Sequence, residues 1–209
     1  ENQTKGRGQM GAVWNSERSK NLIMSVYVKD LLVSIESIYE LNIATALAVV
    51  QVLKTFDIKN LSIKWPNDIM SANFKLAGIL IENSFKSDGS IATIVGIGLN
   101  VNQTDFDNLP KASSMAVVAN ATFDKDEIVV LIVEQIKTNL KLLESNSQLL
   151  WDSYLELLFK KGVPMPFTIN SNKPFMGIIK GVSFNGKLIL LLEDDSVVEF
   201  GLKEIQMLY

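Results

Sequence analysis

Three segments between Lys64 and Asn102 hold the residues best suited to chemistry. They read K-W-P-N-D-I-M, K-L-A-G-I-L-I-E-N and I-V-G-I-G-L-N-V-N. Asp68 supplies a carboxylate, Lys75 an ammonium group, and Asn67 and Asn100 two amides. Leu61–Trp65 is a short β-prone run that Pro66 closes, because proline cannot donate to a sheet ladder. Leu76–Asn83 and Ile91–Val101 are apolar runs bracketing Lys86–Ser90, where Asp88-Gly89 is a hairpin signal. The loop at Ser71–Phe74 turns the Lys64–Asp68 segment back toward Lys75. The spacing therefore predicts a three-stranded meander with Asn67, Asp68, Lys75 and Asn100 at one end. Gly96 and Gly98 beside them would let a ligand approach the backbone. An ordinary hairpin with polar ends has the same spacing.

The chain has no cysteine and no histidine. That excludes a thiolate nucleophile, disulfides, cysteine-based zinc sites and every Ser-His-Asp arrangement. Proton transfer falls to Asp, Glu, Lys, Tyr, water or substrate. Upstream, Gly6, Gly8 and Gly11 surround Arg7 in a polar stretch whose N–H groups can converge on an anion. No Gly-Lys-Ser/Thr follows, so this is not a Walker loop, and no strand precedes it, so it is not a dinucleotide fingerprint. Trp14, just past the glycines, can cover a ring ligand or simply pack.

The elements that must position these residues follow from patterning. Asn21–Val28 reads as a buried strand. Ser37–Phe56 reads as a helix with Ile38, Leu41, Ala44, Ala48, Val52 and Phe56 near one face, and further apolar residues elsewhere, so it should be largely buried against a sheet. Pro110–Ala121 is a short helix or turn region. Asp124 is a helix N-cap with Glu127 three residues on. Ile128–Leu143 and Ser147–Phe159 read as packing helices. Gly162-Val163-Pro164 breaks the helical pattern, and short strands follow, with hairpin or turn signals at Asn185-Gly186 and Asp194–Ser196. This predicts two domains, 1–161 and 162–209, the second a small β-barrel or half-barrel. Hydrophobic residues make up 47% of the 209 positions, enough for a packed core. Net charge of −3 argues against a large nucleic-acid footprint. No apolar run approaches the roughly 18 residues of a membrane span. No signal peptide opens the chain, so cytoplasm is the default location.

K-W-P-N-D, K-L-A-G-I-L-I-E and G-I-G-L-N-V-N, with G-R-G-Q-M-G-A-V-W upstream, resemble the biotin protein ligase family in order and spacing. The resemblance implies an α+β fold of the biotin–lipoate ligase type, like class II aminoacyl-tRNA synthetases. It has a mainly antiparallel sheet, helices on one face and an SH3-like C-terminal barrel. The implied activity is ATP-dependent formation of biotinyl-AMP and transfer of biotin to a lysine of a biotin carboxyl carrier domain. Lys75, Arg7 and Asp68 are the implied catalytic residues. Gln3, Gly6, Arg7, Lys75, Gly78, Leu80 and Gly96 would bind biotin. Trp14, Lys64, Asn67, Asp68, Lys75 and Asn100 would bind ATP, with Asp68 also a magnesium ligand. Gln9 and Met10 stand where some members carry further arginines, which bears on retention of the adenylate. The resemblance begins abruptly at the glycine loop, so the expectation is a chain lacking the family's preceding strand and helix. A homodimer is also expected, with no membrane and no nucleic acid as partners of this portion. A lipoate or octanoyl ligase or transferase, and a non-catalytic biotin- or nucleotide-binding module, are the alternatives.

Overall fold

The computed structural model describes residues 3–29, 35–85, 91–169 and 173–209. Two five-stranded antiparallel sheets and three helices make up an α+β architecture. The first sheet contains β1 (Leu22–Lys29), β2 (Leu61–Lys64), β3 (Asp68–Ser71), β4 (Phe74–Phe85) and β5 (Ile91–Leu99), in the order β1-β5-β4-β3-β2. The expected three-stranded meander thus has four strands. Asp68–Ser71 is a strand in its own right, paired to β2 and β4, and Leu61–Trp65 ends one residue early at Lys64. The missed strand is four residues long, too short for its alternation to stand out. β4 and β5 pair to Phe85–Ile91 as a hairpin requires, while the Lys86–Ser90 turn signal lies outside the described residues.

Strand alternation separates two faces of this sheet. Ala77, Ile79, Val95, Ile97 and Leu99 are buried on one face. Helix α1 (Ile35–Thr55) is buried almost without interruption from Leu41 to Leu53, as its all-round apolar pattern predicts. It packs against β2, β3 and β4 and against α3 (Lys125–Glu156), which reaches β1. Buried Asn139 of α3 donates to the Ala44 carbonyl and to Gln51 of α1, both at 2.9 Å. The expected split between two packing helices falls at Asn146, whose backbone is non-helical inside α3. Asp124 caps α3, its carboxylate accepting from the Asp126 N–H at 2.8 Å. The short helix α2 (Met115–Ala119) is capped by Ser114.

The second sheet contains β6 (Pro164–Thr168), β7 (Phe175–Val182), β8 (Leu188–Leu192), β9 (Val197–Phe200) and β10 (Gln206–Met207). Its order, β10-β6-β7-β8-β9, is that of an open sheet. Asn185-Gly186 turns β7 into β8, with Gly186 at φ +78. This hairpin tip touches the first sheet. The Gly186 carbonyl accepts the Trp65 indole N–H at 2.9 Å, and the Phe184 ring meets Trp151 edge-on.

Candidate active site

The face of the first sheet opposite the helices is floored by cross-strand rows. Asp68, Gly78, Gly98 and Ile23 form one row; Leu80, Gly96 and Ser25 form the next; Glu82, Ile94 and Tyr27 close it. Two rows owe their depth to missing side chains at Gly78, Gly98 and Gly96. The result is a trough of about 160 Å³ lined also by Gln3, Arg7, Gln9, Trp14, Asn67 and Lys75.

Lys75 reaches this trough because β4 is irregular. By simple alternation it shares a face with Ala77 and Ile79 and would point into the core. A β-bulge intervenes: Ile69 pairs with Ala77 but Met70 pairs with Lys75, leaving Leu76 as the extra residue. The bulge inverts the facing of the strand end and re-aims Lys75. Its ammonium group lies 2.6 Å from Asp68, and a methyl group added at Gly78 would lie 3.2 Å from it. Lys64 approaches the other oxygen of Asp68 at 3.9 Å. Burial pushes the Lys64 ammonium below its ordinary range; Asp68 opposes this, and Lys75 and Lys111 add to it. Tyr209 stands close enough that burial, then the Asp68 charge, raises its phenol.

Asn67 is fixed at the head of the row. Its side-chain amide donates to the Ile79 carbonyl, and its own carbonyl accepts the Ile79 N–H at 3.0 Å. The turn that carries it, with a cis Trp65–Pro66 bond, is held by Asn42, which donates to the Pro66 carbonyl at 2.9 Å.

The glycine loop folds as a small hairpin over the trough. Trp14 donates its backbone N–H to the Gly6 carbonyl at 3.0 Å, and Gly8 donates to Ala12 at 2.7 Å. Gly6 is buried, and a methyl there would meet the Gln3 side chain at 2.7 Å. Arg7 pairs with Glu82 at 3.4 Å on the outer rim. The Trp14 ring lies directly on the sheet. A methyl at Gly98 would come within 2.6 Å of it, and Lys75 lies 5.5 Å from the ring centroid. Its indole N–H is buried without a hydrogen-bond partner among the described residues.

The structure therefore brings Gln3, Gly6, Arg7, Trp14, Asn67, Asp68, Lys75, Gly78, Leu80 and Gly96 together around the trough. Two expectations need correction, those for Asn100 and for a magnesium ion at Asp68. Asn100 does not line the trough. It is 4% exposed, and its amide donates inward to the Ser113 carbonyl at 3.0 Å. Lys64 adjoins the trough through Asp68 and lines a second cavity with Trp65, Pro66 and Gln206. Asp68 does not fit a protein-held magnesium. Its oxygens face two ammonium groups, whereas a hard dication needs several oxygen ligands. Nor do the described residues contain a cluster of three or more acidic, His or Cys side chains that could hold a metal.

Ser25, Glu82 and Ile23 were missed as trough residues. Their signal lay in strand parity: once Gly96 and Gly98 are placed on one face, Ser25 and Ile23 follow from the β1–β5 register. That register was unreadable because β1 and β5 are separated by more than sixty residues.

The fold is that of the biotin protein ligases. The biotin protein ligase from Aquifex aeolicus, solved in complex with biotin and ATP, superposes with a TM-score of 0.81 at 24% identity, covering 99% of this chain and 85% of that one. Residues 1–102 match the model of the Biotin/lipoate A/B protein ligase family. A bifunctional ligase/repressor BirA of Bacillus subtilis (strain 168) is 30% identical over 212 residues, spanning 97% of this chain. The chain spans 62% of the length of that relative. A biotin–[acetyl-CoA-carboxylase] ligase of Mycobacterium tuberculosis is 28% identical over 95% of this chain and 74% of its own length.

Proposed function

We propose that the protein activates biotin with ATP as biotinyl-AMP and transfers the biotin to a lysine of a biotin carboxyl carrier domain. The observation that carries this reading is the glycine-floored trough with Lys75 delivered to its end by the Leu76 bulge. Biotin's fused ring suits the floor at Leu80, Gly96 and Ser25. Its carboxylate would lie toward Lys75, where an ammonium group offsets the repulsion between two anions, the main electrostatic obstacle to the reaction. Asp68 holds Lys75 and Lys64 in place. Arg7 waits at the rim, and moving it from Glu82 to the ligand carboxylate or phosphate costs only an exposed ion pair. Trp14 and Asn67 face the nucleotide side. The magnesium that accompanies ATP would travel on its phosphates. No enzyme nucleophile is required, in keeping with a chain that lacks Cys and His.

The same reading takes 1–161 as the catalytic domain and 162–209 as an SH3-like domain, and the cytoplasm as location. The outer edge of β1, at the end of its sheet, supports a homodimer. The test is biotin-dependent exchange of pyrophosphate into ATP, followed by biotinylation of a carrier domain. Exchange with biotin but not lipoate supports the proposal. A lipoate or octanoyl ligase is the second reading, favoured by the breadth of the matched family, and exchange with lipoate alone would replace the first with it. Biotin binding without exchange would leave a binding module.

A further inference from the structure

The hairpin tip between β7 and β8 carries the chain's one Asn-Gly pair, Asn185-Gly186. Asn185 is exposed, and its side-chain amide has no hydrogen-bond partner among the described residues. Gly186 is buried, with φ +78, and the Tyr39 ring packs over it. Its N–H donates to the Ser183 carbonyl at 2.8 Å, and its carbonyl accepts the Trp65 indole N–H at 2.9 Å. Ser183 closes the tip. Its N–H donates to the Lys187 carbonyl at 2.8 Å, and its hydroxyl accepts the Lys187 N–H at 3.2 Å. One reactive side chain is thus free in solvent, while the glycine beside it is held on both sides.

The side-chain carbon Cγ of an asparagine stands within reach of the backbone nitrogen of the next residue. The five-membered ring between them closes most readily onto glycine, which has no Cβ to crowd the attack and turns freely about its backbone. While the tip is seated, Ser183 and Trp65 hold the two peptide groups of Gly186, so its nitrogen cannot turn toward Cγ. Local opening of the tip frees both groups. We propose that Asn185 is a self-modification site, gated by the seating of the hairpin tip on Trp65, and that its modification stops the tip from seating again. The Gly186 nitrogen forms a bond to Cγ as the bond from Cγ to the side-chain nitrogen breaks. That nitrogen leaves as ammonia with the Gly186 amide proton. Water then opens the cyclic imide. Opening at Cγ leaves an aspartate. Opening at the main-chain carbonyl leaves an isoaspartate, whose chain runs on through the side chain. Its backbone is longer by one carbon–carbon bond, about 1.5 Å, directly beside the carbonyl that Trp65 needs. Trp65 then loses its acceptor, and the turn it shares with Asn67 loosens. The modification itself is independent of activity; only its effect on exchange rests on the ligase reading above.

The experiment ages the complete 209-residue chain for weeks at neutral and at mildly alkaline pH. Peptide mapping by mass spectrometry reads conversion at each asparagine, and enzymatic methylation reads isoaspartate. Conversion at Asn185 should outrun that at every other asparagine. It should be faster at the higher pH, where more of the attacking nitrogen is deprotonated. Trp65→Phe removes the N–H that holds the Gly186 carbonyl and should raise the rate about fivefold, the effect of one hydrogen bond on an opening equilibrium. In aged wild type the Trp65 indole N–H resonance should leave its hydrogen-bonded position in proportion to isoaspartate, and exchange activity should fall in step. Asn185→Gln would have to close a larger ring, so it should age with both unchanged. Absence of preferential conversion at Asn185 overturns the inference, as does an isoaspartate-bearing chain whose Trp65 resonance stays in place. A Trp65→Phe rate equal to that of wild type removes the gate and overturns it as well. Fresh protein without biotin-dependent exchange removes the ligase reading alone, since the mass and resonance measurements do not depend on it.

Discussion

At the scale of single residues, Lys75 is the one position where charge, reach and backbone geometry coincide. Lys75→Ala should lower the rate of adenylate formation about 10²–10³-fold, the usual cost of removing a group aimed at developing charge. Its side chain is 33% exposed and lies at the trough, so the thermal midpoint should scarcely move. Biotin-dependent exchange at the wild-type rate in this variant would take Lys75 out of the mechanism. Gly98 makes a complementary case, because its role is to be absent. Gly98→Ala places a methyl 2.6 Å from the Trp14 ring, so the indole must lift from the sheet. Overfilling of this kind costs about 1–3 kcal/mol. Isothermal calorimetry should show biotin affinity reduced about tenfold or more, with Gly96→Ala milder because a methyl there meets only Leu80 at 3.4 Å. The polar motif residues were legible from their types and spacing. The inward turn of Asn100 was not, because an amide that satisfies a buried carbonyl looks the same in sequence as one that waits for a ligand.

At the scale of elements, the bulge in β4 explains what the sequence could and could not convey. Leu76–Asn83 reads as one unbroken apolar run, and nothing in its composition announces that Leu76 is an extra residue. Lys75 was placed at the right end of the strand by its motif, but its facing depends on a register irregularity that only pairing with Met70 reveals. The helices were easier, since α1 and α3 are long and their apolar content is decisive. So were the β7–β8 and β8–β9 turns, where Gly186 and Asp195 adopt positive φ. Gly186 offers a test at this scale. It has φ +78, and a methyl there would collide with the Tyr39 ring. Gly186→Ala should cost about 1–3 kcal/mol. Thermal denaturation should show the midpoint lowered by several degrees. Because the same residue accepts the Trp65 indole N–H, exchange activity should fall well below that of an equally destabilised surface variant.

At the scale of the molecule, one apolar core runs through both sheets. Ile63, Ile69 and Leu76 belong to the same cluster as Phe167, Ile179, Leu188 and Phe200. Tyr154 lies in this core and Tyr39 packs against it; their hydroxyls meet at 2.8 Å, and burial holds both phenols above the ordinary tyrosine value of 10.0. The folded chain keeps these protons at a pH where the unfolded chain has released them. Unfolding is therefore favoured as pH rises above about 10. Urea midpoints should fall more steeply above that pH in the wild type than in Tyr39→Phe/Tyr154→Phe; equal slopes would show that the pair does not control alkaline stability. The hairpin tip at Gly186 has a wider consequence. It is wedged among Trp65, Tyr39 and Trp151, so the second sheet cannot detach without loosening the turn that carries Asn67. Heat should accordingly melt the two halves in a single cooperative event, with equal calorimetric and van't Hoff enthalpies. There would then be no temperature at which the ligand trough survives while the tail has already come undone.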